Sequence, residues 1–232
     1  MNPIGKRETC QGSSASDQDM VLALRYARGD GVPKNPDLAL KLFEKSAKRG
    51  NCNAMFQAGL QYKLGIGCTQ KNPTKSFDYF HQAAEKGHLG ALVTLGNTYM
   101  SDERDEKTKM TGWSYLKKAS DLGCPEAMYI IASRLEVGLG VSLDQQEAIR
   151  YYQMAADKWH LKAICEIGNR FLRGNGLKVD HQKAAHYFQM GSILNDSFSQ
   201  SELSNLYEHG IGVVQDLAKA QSLKNRLHQN SH

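Results

Sequence analysis

Ser114-Tyr115-Leu116-Lys117 is a Ser-x-x-Lys run. On a helix it would set a hydroxyl one turn from an amine, the nucleophile and base of penicillin-interacting enzymes. The Ser-Asp-Asn and Lys-Thr-Gly runs that complete such a site are missing from the sequence. Among the eight histidines no His-Glu-x-x-His occurs. His181 and His186 are five apart, off a shared helical face, and His81, His160 and His209 stand alone, so neither a metal site nor a general base is expected. The five cysteines, Cys10, Cys52, Cys68, Cys124 and Cys165, are odd in number and none has Cys-x-x-Cys spacing. They read as reduced thiols of a cytosolic protein without zinc. Five Gly-x-Gly loops could cradle phosphate only after a strand and with a third glycine. Here they recur along the chain, which makes them turns.

That recurrence identifies the elements. The loops begin at Gly29, Gly65, Gly138, Gly174 and Gly210. The step is 36 residues, except between Gly65 and Gly138, where a sixth, degenerate copy lies around Ser101-Asp102-Glu103-Arg104. Three residues before each loop stands a large group: Tyr26, Tyr62, Tyr99, Leu135, Phe171, Tyr207. Three before that stands a small one: Ala23, Gly59, Gly96, Ala132, Gly168, Ser204. A second bulky column follows in Phe43, Phe80, Leu116, Tyr152 and Phe188, with Lys224 in the last copy. Each unit therefore reads as two helices around a glycine turn. In the second copy these are Cys52 to Leu64 and Pro73 to Lys86. A single pair cannot bury its apolar face, so stacked pairs must cover one another. The expected fold is all-α, a right-handed α/α superhelix of six helix–turn–helix repeats at about 16–50, 51–87, 88–123, 124–159, 160–195 and 196–232. They form one solenoid domain after a disordered tail, 1–15, and Lys224 and His228 mark the last unit as a polar cap.

The run Asn53-Ala54-x-x-x-Ala58-Gly59-x-x-Tyr62-x-x-Gly65-x-Gly67, followed by Phe80-x-x-Ala83-Ala84-x-x-Gly87, resembles the Sel-1-like repeat, a tetratricopeptide-like module. The fourth and fifth copies match it well, and the resemblance covers residues 16 to 231. It implies adaptors and scaffolds that assemble complexes, some acting between bacterium and host, and it implies no particular partner. A cysteine-rich branch of the family is linked to penicillin-like ligands, but it carries paired cysteines within each repeat, which this chain lacks. The third copy departs from the pattern, with a charged Ser101 to Lys107 loop that reads as surface drift or as a partner contact.

A helical wheel on Cys52 to Leu64 puts Ala54, Ala58, Gly59 and Tyr62 on the core face. Phe56, Gln57, Leu60, Lys63 and Leu64 fall opposite, on the face that lines the concave groove in tetratricopeptide-like arrays. By column, the candidate groove takes Met20, Val21, Leu24 and Arg28 from the first copy, and Phe56, Gln57, Leu60 and Leu64 from the second. The third adds Val93, Thr94, Asn97 and Met100; the fourth, Tyr129, Ile130, Ser133 and Val137. The fifth adds Cys165, Glu166, Asn169 and Arg173, and the sixth Ser201, Glu202, Asn205 and His209. The first four copies are apolar there and the last two polar. Either an apolar patch binds a partner, or the superhelix curls and buries part of it. Asn97, Asn169 and Asn205 could hydrogen-bond a peptide backbone.

A formal charge of +5 is spread along the chain. No basic cluster interleaved with aromatics occurs, so nucleic acid is not expected. No apolar run spans a membrane, and the first residues have no apolar signal region. The expectation is therefore a cytoplasmic, non-enzymatic adaptor, monomer or weak homodimer, without cofactor or metal, holding an amphipathic helix or extended peptide of another protein. Three alternatives remain: an effector- or immunity-type protein capturing one toxin or host target, a secreted or processed form, and binding or hydrolysis of a penicillin-like ligand.

Overall fold

In the computed structural model the described residues are 14–67, 70–101 and 105–229. All their regular elements are α-helices, with no strand among the described residues. In chain order they are α1 (Ser14–Arg28), α2 (Pro36–Lys48), α3 (Cys52–Leu64), α4 (Pro73–Glu85), α5 (Leu89–Tyr99), α6 (Glu106–Asp121), α7 (Pro125–Val137), α8 (Gln145–Ala156), α9 (Leu161–Arg173), α10 (His181–Ile193), α11 (Ser197–His209) and α12 (Leu217–Gln229). The chain divides into two compact units, Met1–Leu122 and Gly123–His232. Each contains three helix pairs.

Side-chain caps start most helices. The carboxamide or carboxylate of Asn35, Asn72, Asp105, Asp144 and Asp180 accepts the backbone N–H three residues on, opening α2, α4, α6, α8 and α10. Asp216 does the same for Lys219. Each such cap contributes about 1 kcal/mol. Gly65, Gly138, Gly174 and Gly210 end the first helix of their repeats in the left-handed region. The second loop glycine has a stricter reason. A Cβ on Gly67 would lie 2.3 Å from the Pro36 carbonyl oxygen, and one on Gly212 would lie 2.3 Å from the His181 carbonyl. Within each unit the loop of one repeat thus seats on the first turn of the preceding second helix, leaving no room for a side chain.

The small column works as the wheel requires. Ideal Cβ positions on Gly59, Gly96 and Gly168 fall 2.7–2.8 Å from Phe80, Leu116 and Phe188. The bulky column is their counterpart: Phe43, Leu116 and Phe188 are fully buried, and Phe80 and Tyr152 nearly so. Burying each such side chain stabilises by about 1.5–3 kcal/mol. The predicted helices of the second copy coincide with α3 and α4 to within a residue.

Two expectations fall partly outside the described residues. Of the predicted tail, residues 1–13 lie outside the described residues, while Ser14 and Ala15 already belong to α1. Of the irregular third loop, 102–104 lie outside them too, and Asp105 caps α6, bonding the Thr108 N–H and hydroxyl. The expectation of reduced thiols is corrected at one position. Cys52 is disulfide-bonded, whereas Cys124 and Cys165 are free thiols; Cys10 and Cys68 lie outside the described residues. Spacing along the chain does not reveal a pairing that folding makes.

Candidate functional site

In the first unit, the first helices of successive repeats stand side by side. Asn51, the cap of α3, donates to Asp17 of α1 at 2.9 Å. Phe56 of α3 stacks on His88, the cap of α5, with centroids 4.5 Å apart. The face of α3 away from the core holds Gln57, Leu60 and Leu64. Leu64 is 57% exposed; Val21, 58% exposed, lies beside Asp17, Gln18, Leu22 and Arg25 of its own helix. Met20, Leu24, Leu60 and Val93 are half-buried, Asn97 and Arg28 exposed. Leu89, which sequence reasoning left out, is exposed beside them.

Two expected members of that face are engaged internally. Phe56 is half-buried, tilted against Phe80 at 5.6 Å as well as stacked on His88. Met100 is buried, at 1% exposure; its backbone N–H closes the end of α5 on the Gly96 carbonyl. The degenerate third copy shortens the helix there, so the column turns inward.

In the second unit Val137 is 65% exposed, but several other candidate residues are committed to their neighbours. Tyr129 stacks on His160, which caps α9 and contacts Glu126 at 2.9 Å. The Ser133 hydroxyl donates to the Ile130 carbonyl. Glu166 accepts from Arg170 Nε at 2.9 Å, and Glu136 of α7 pairs with the same guanidinium. Arg170 is buried to 8% exposure over the Tyr152 ring, whose hydroxyl donates to Glu136 at 2.8 Å. Burial and then Glu136 push the Tyr152 phenol far above its ordinary range. The side-chain oxygen of Asn169 is buried without a partner, while Arg173 and Asn205 are exposed. Cys165 is half-buried; burial, with Asp196 opposing ionisation, pushes its thiol up to about 11.

Sequence reasoning missed a set of polar bridges between repeats. Glu44 accepts from the hydroxyls of Tyr62 (2.6 Å) and Tyr79 (3.4 Å). Burial first and Glu44 second push the Tyr79 phenol up to about 12. His81 stands in the same column and bonds Tyr99 (3.1 Å) and Tyr115 (3.2 Å); Gln189 donates to Tyr207 at 3.1 Å. The spacing of Glu44, His81 and Gln189 relative to the tyrosines was the available signal. The Ser114 hydroxyl donates to the Thr111 carbonyl, within its own helix. No group of three or more His, Cys, Asp or Glu among the described residues is placed to hold a metal ion. No helix among them is long and apolar enough to cross a membrane.

Known proteins match this arrangement. The Sel1 repeat model fits residues 20–51, 52–88, 125–158, 161–196 and 197–223. Helix pairs packed around periodic glycines and this match define a Sel1 repeat protein: the chain belongs to that family, whose members are generally protein-interaction scaffolds. The charged third copy is the stretch that the family model passes over. The chain is 26% identical over 172 residues to the uncharacterized protein NMB1327 of Neisseria meningitidis, covering 61% of this chain and 37% of that protein. It is 29% identical over 147 residues to chitin synthase regulatory factor 3 of Schizosaccharomyces pombe, covering 61% of this chain and 16% of that one. The chain thus spans well under half the length of these relatives. Among solved structures, a Sel1 repeat protein from Oxalobacter formigenes aligns with TM-score 0.78 at 26% identity, over 93% of this chain and 88% of that one. The protective antigen c5321 of uropathogenic Escherichia coli, described as displaying an SLR fold, aligns with TM-score 0.78 at 23% identity, over 94% and 46%. The immunity protein PA5088 of Pseudomonas aeruginosa shares the fold alone, with TM-score 0.60 at 18% identity, over 95% and 83%.

Proposed function

We propose that this protein is a non-enzymatic adaptor that holds a segment of another protein against the outward face of α1, α3 and α5. The observation that carries this reading is the apolar side chains left uncovered there, with Leu64 more than half exposed and Leu24, Leu60 and Val93 half-buried. Contiguous exposed apolar groups of this kind mark interaction sites. The family membership and the regulatory role in the name of the Schizosaccharomyces relative agree with it. In the second unit Glu166 and Tyr129 are held by their own neighbours and contribute less.

The test is capture from native lysate by the wild type and by Leu60→Glu/Leu64→Glu, with circular dichroism confirming the fold. A partner held by the wild type and lost with the folded variant supports the reading; a partner retained by the variant sinks it. Phe56 is unsuitable for such a test, because its ring contacts secure the start of α5.

The disulfide at Cys52 supports the exported form over the cytoplasmic one, since disulfides persist in oxidising compartments. Thiol titration of the denatured, unreduced protein should find fewer than five free thiols; five would return the protein to a reducing compartment.

A further inference from the structure

Among the described residues, the helices that carry the apolar face of the first unit have few charges of their own, and those left without an ion pair at its Leu64 end are positive. α3 and α5 carry no carboxylate at all, and their single charged side chain is Lys63. Lys63 and Arg28 are exposed at the end of the face where Leu64 lies, and neither forms an ion pair among the described residues. The two acidic groups of α1 are engaged. Asp19 pairs with Lys45 at 3.0 Å and with Arg49, and Asp17 accepts from Asn51. Positive charge on these helices beside exposed Leu64 favours a ligand that brings both apolar groups and carboxylates.

We infer that the occupant of this face is an acidic amphipathic segment of a partner protein: its apolar side chains lie over Leu24, Leu60 and Leu64, and its carboxylates meet Arg28 and Lys63. This rests on the adaptor reading above and adds the partner's chemistry to it. The first helices of the second unit differ, since Glu126, Glu136, Glu166, Glu202 and Glu208 all lie on them. The selectivity for an acidic segment therefore belongs to the first unit.

The test uses a phage-displayed library of random peptides, roughly twelve residues long, selected on the full chain. Such peptides match the short segments that helical grooves hold. Each enriched peptide is then titrated by fluorescence anisotropy against the wild type, Arg28→Glu/Lys63→Glu and Leu60→Glu/Leu64→Glu. The expected peptides combine apolar residues with net negative charge. The arginine–lysine reversal should weaken them about tenfold at low salt and less at high salt. The milder Arg28→Gln/Lys63→Gln should fall between. Enriched peptides that are neutral or basic, or that ignore the reversal while losing affinity for the leucine variant, overturn the acidic partner and leave the adaptor reading standing. Peptides that bind the leucine variant undiminished, or no enrichment at all, overturn both.

Discussion

His88 accepts the Ala91 N–H through Nδ1 at 3.1 Å while its ring lies stacked on Phe56 of the preceding repeat. The imidazole is thus both the cap of α5 and a packing surface for α3. His160 repeats the relation, capping α9 at 3.3 Å under the ring of Tyr129. Only a neutral imidazole nitrogen can accept that bond, so the cap couples helix stability to protonation.

Burial, opposed more weakly by a backbone hydrogen bond, holds His88 below its ordinary pKa of 6.5. Above that value both folded and unfolded chains are neutral, and the group contributes no pH dependence. As the pH falls below 6.5 the unfolded chain takes the proton first, so stability declines until the folded pKa is passed and then levels off. Urea unfolding from pH 8 to 5 should show part of this slope vanish in His88→Asn, which keeps a cap of the kind that Asn51 supplies one repeat earlier. His88→Ala should lose about 1 kcal/mol at pH 8. An unchanged slope in the asparagine variant would exclude this cap as the source.

Arg170 holds Glu136 and Glu166 from a position with 8% exposure. Arg170→Ala leaves two carboxylates facing each other without their cation and should cost about 3 kcal/mol. The loss should shrink when Glu136→Gln is added, because one of the stranded charges is then removed. A double-mutant cycle by chemical denaturation measures this, and strict additivity would contradict the network.

Gln200 is fully buried, and neither atom of its amide has a hydrogen-bond partner. The same column elsewhere holds Met55, Leu92, Met128 and Ile164, all buried. Gln200→Met should therefore raise stability by about 1–3 kcal/mol, the cost of desolvating an unpaired amide. Thermal unfolding decides it; a lower melting temperature would mean that the amide finds partners in solution.

Gly212 and Gly210 both have positive φ, 69° and 68°, yet they should differ sharply in tolerance. A Cβ at Gly210 meets its nearest neighbour at 3.4 Å, whereas one at Gly212 meets the His181 backbone at 2.3 Å. Gly210→Ala should cost about 1 kcal/mol, the penalty of the left-handed conformation alone. Gly212→Ala should cost about 3 kcal/mol, because the backbone of α10 must also move. Equal melting temperatures for the two variants would show that the loop does not seat on α10.

Periodicity along the chain was enough to determine the helix pairs, their turns and their core. Gly59 faces Phe80, and Gly168 faces Phe188, because an α-helix has one period and residues three or four apart share a face. The aspartate and asparagine caps at Asn35, Asn72, Asp144, Asp180 and Asp216 follow the same spacing, but sequence reasoning did not single them out. Tertiary structure alone decided which outward residues stay available. Phe56 and Tyr129 occupy the same column as Val93, yet each is pinned by a histidine from the next repeat. Glu166 is claimed by Arg170, Met100 turns inward, and Cys52 enters a disulfide. The histidines that pin Phe56 and Tyr129 come from about 30 residues further along the chain, and Arg170, four residues from Glu166, is itself anchored by Glu136, 34 residues before it, contacts that stacking creates. A helical wheel describes one helix at a time and contains no term for its neighbour.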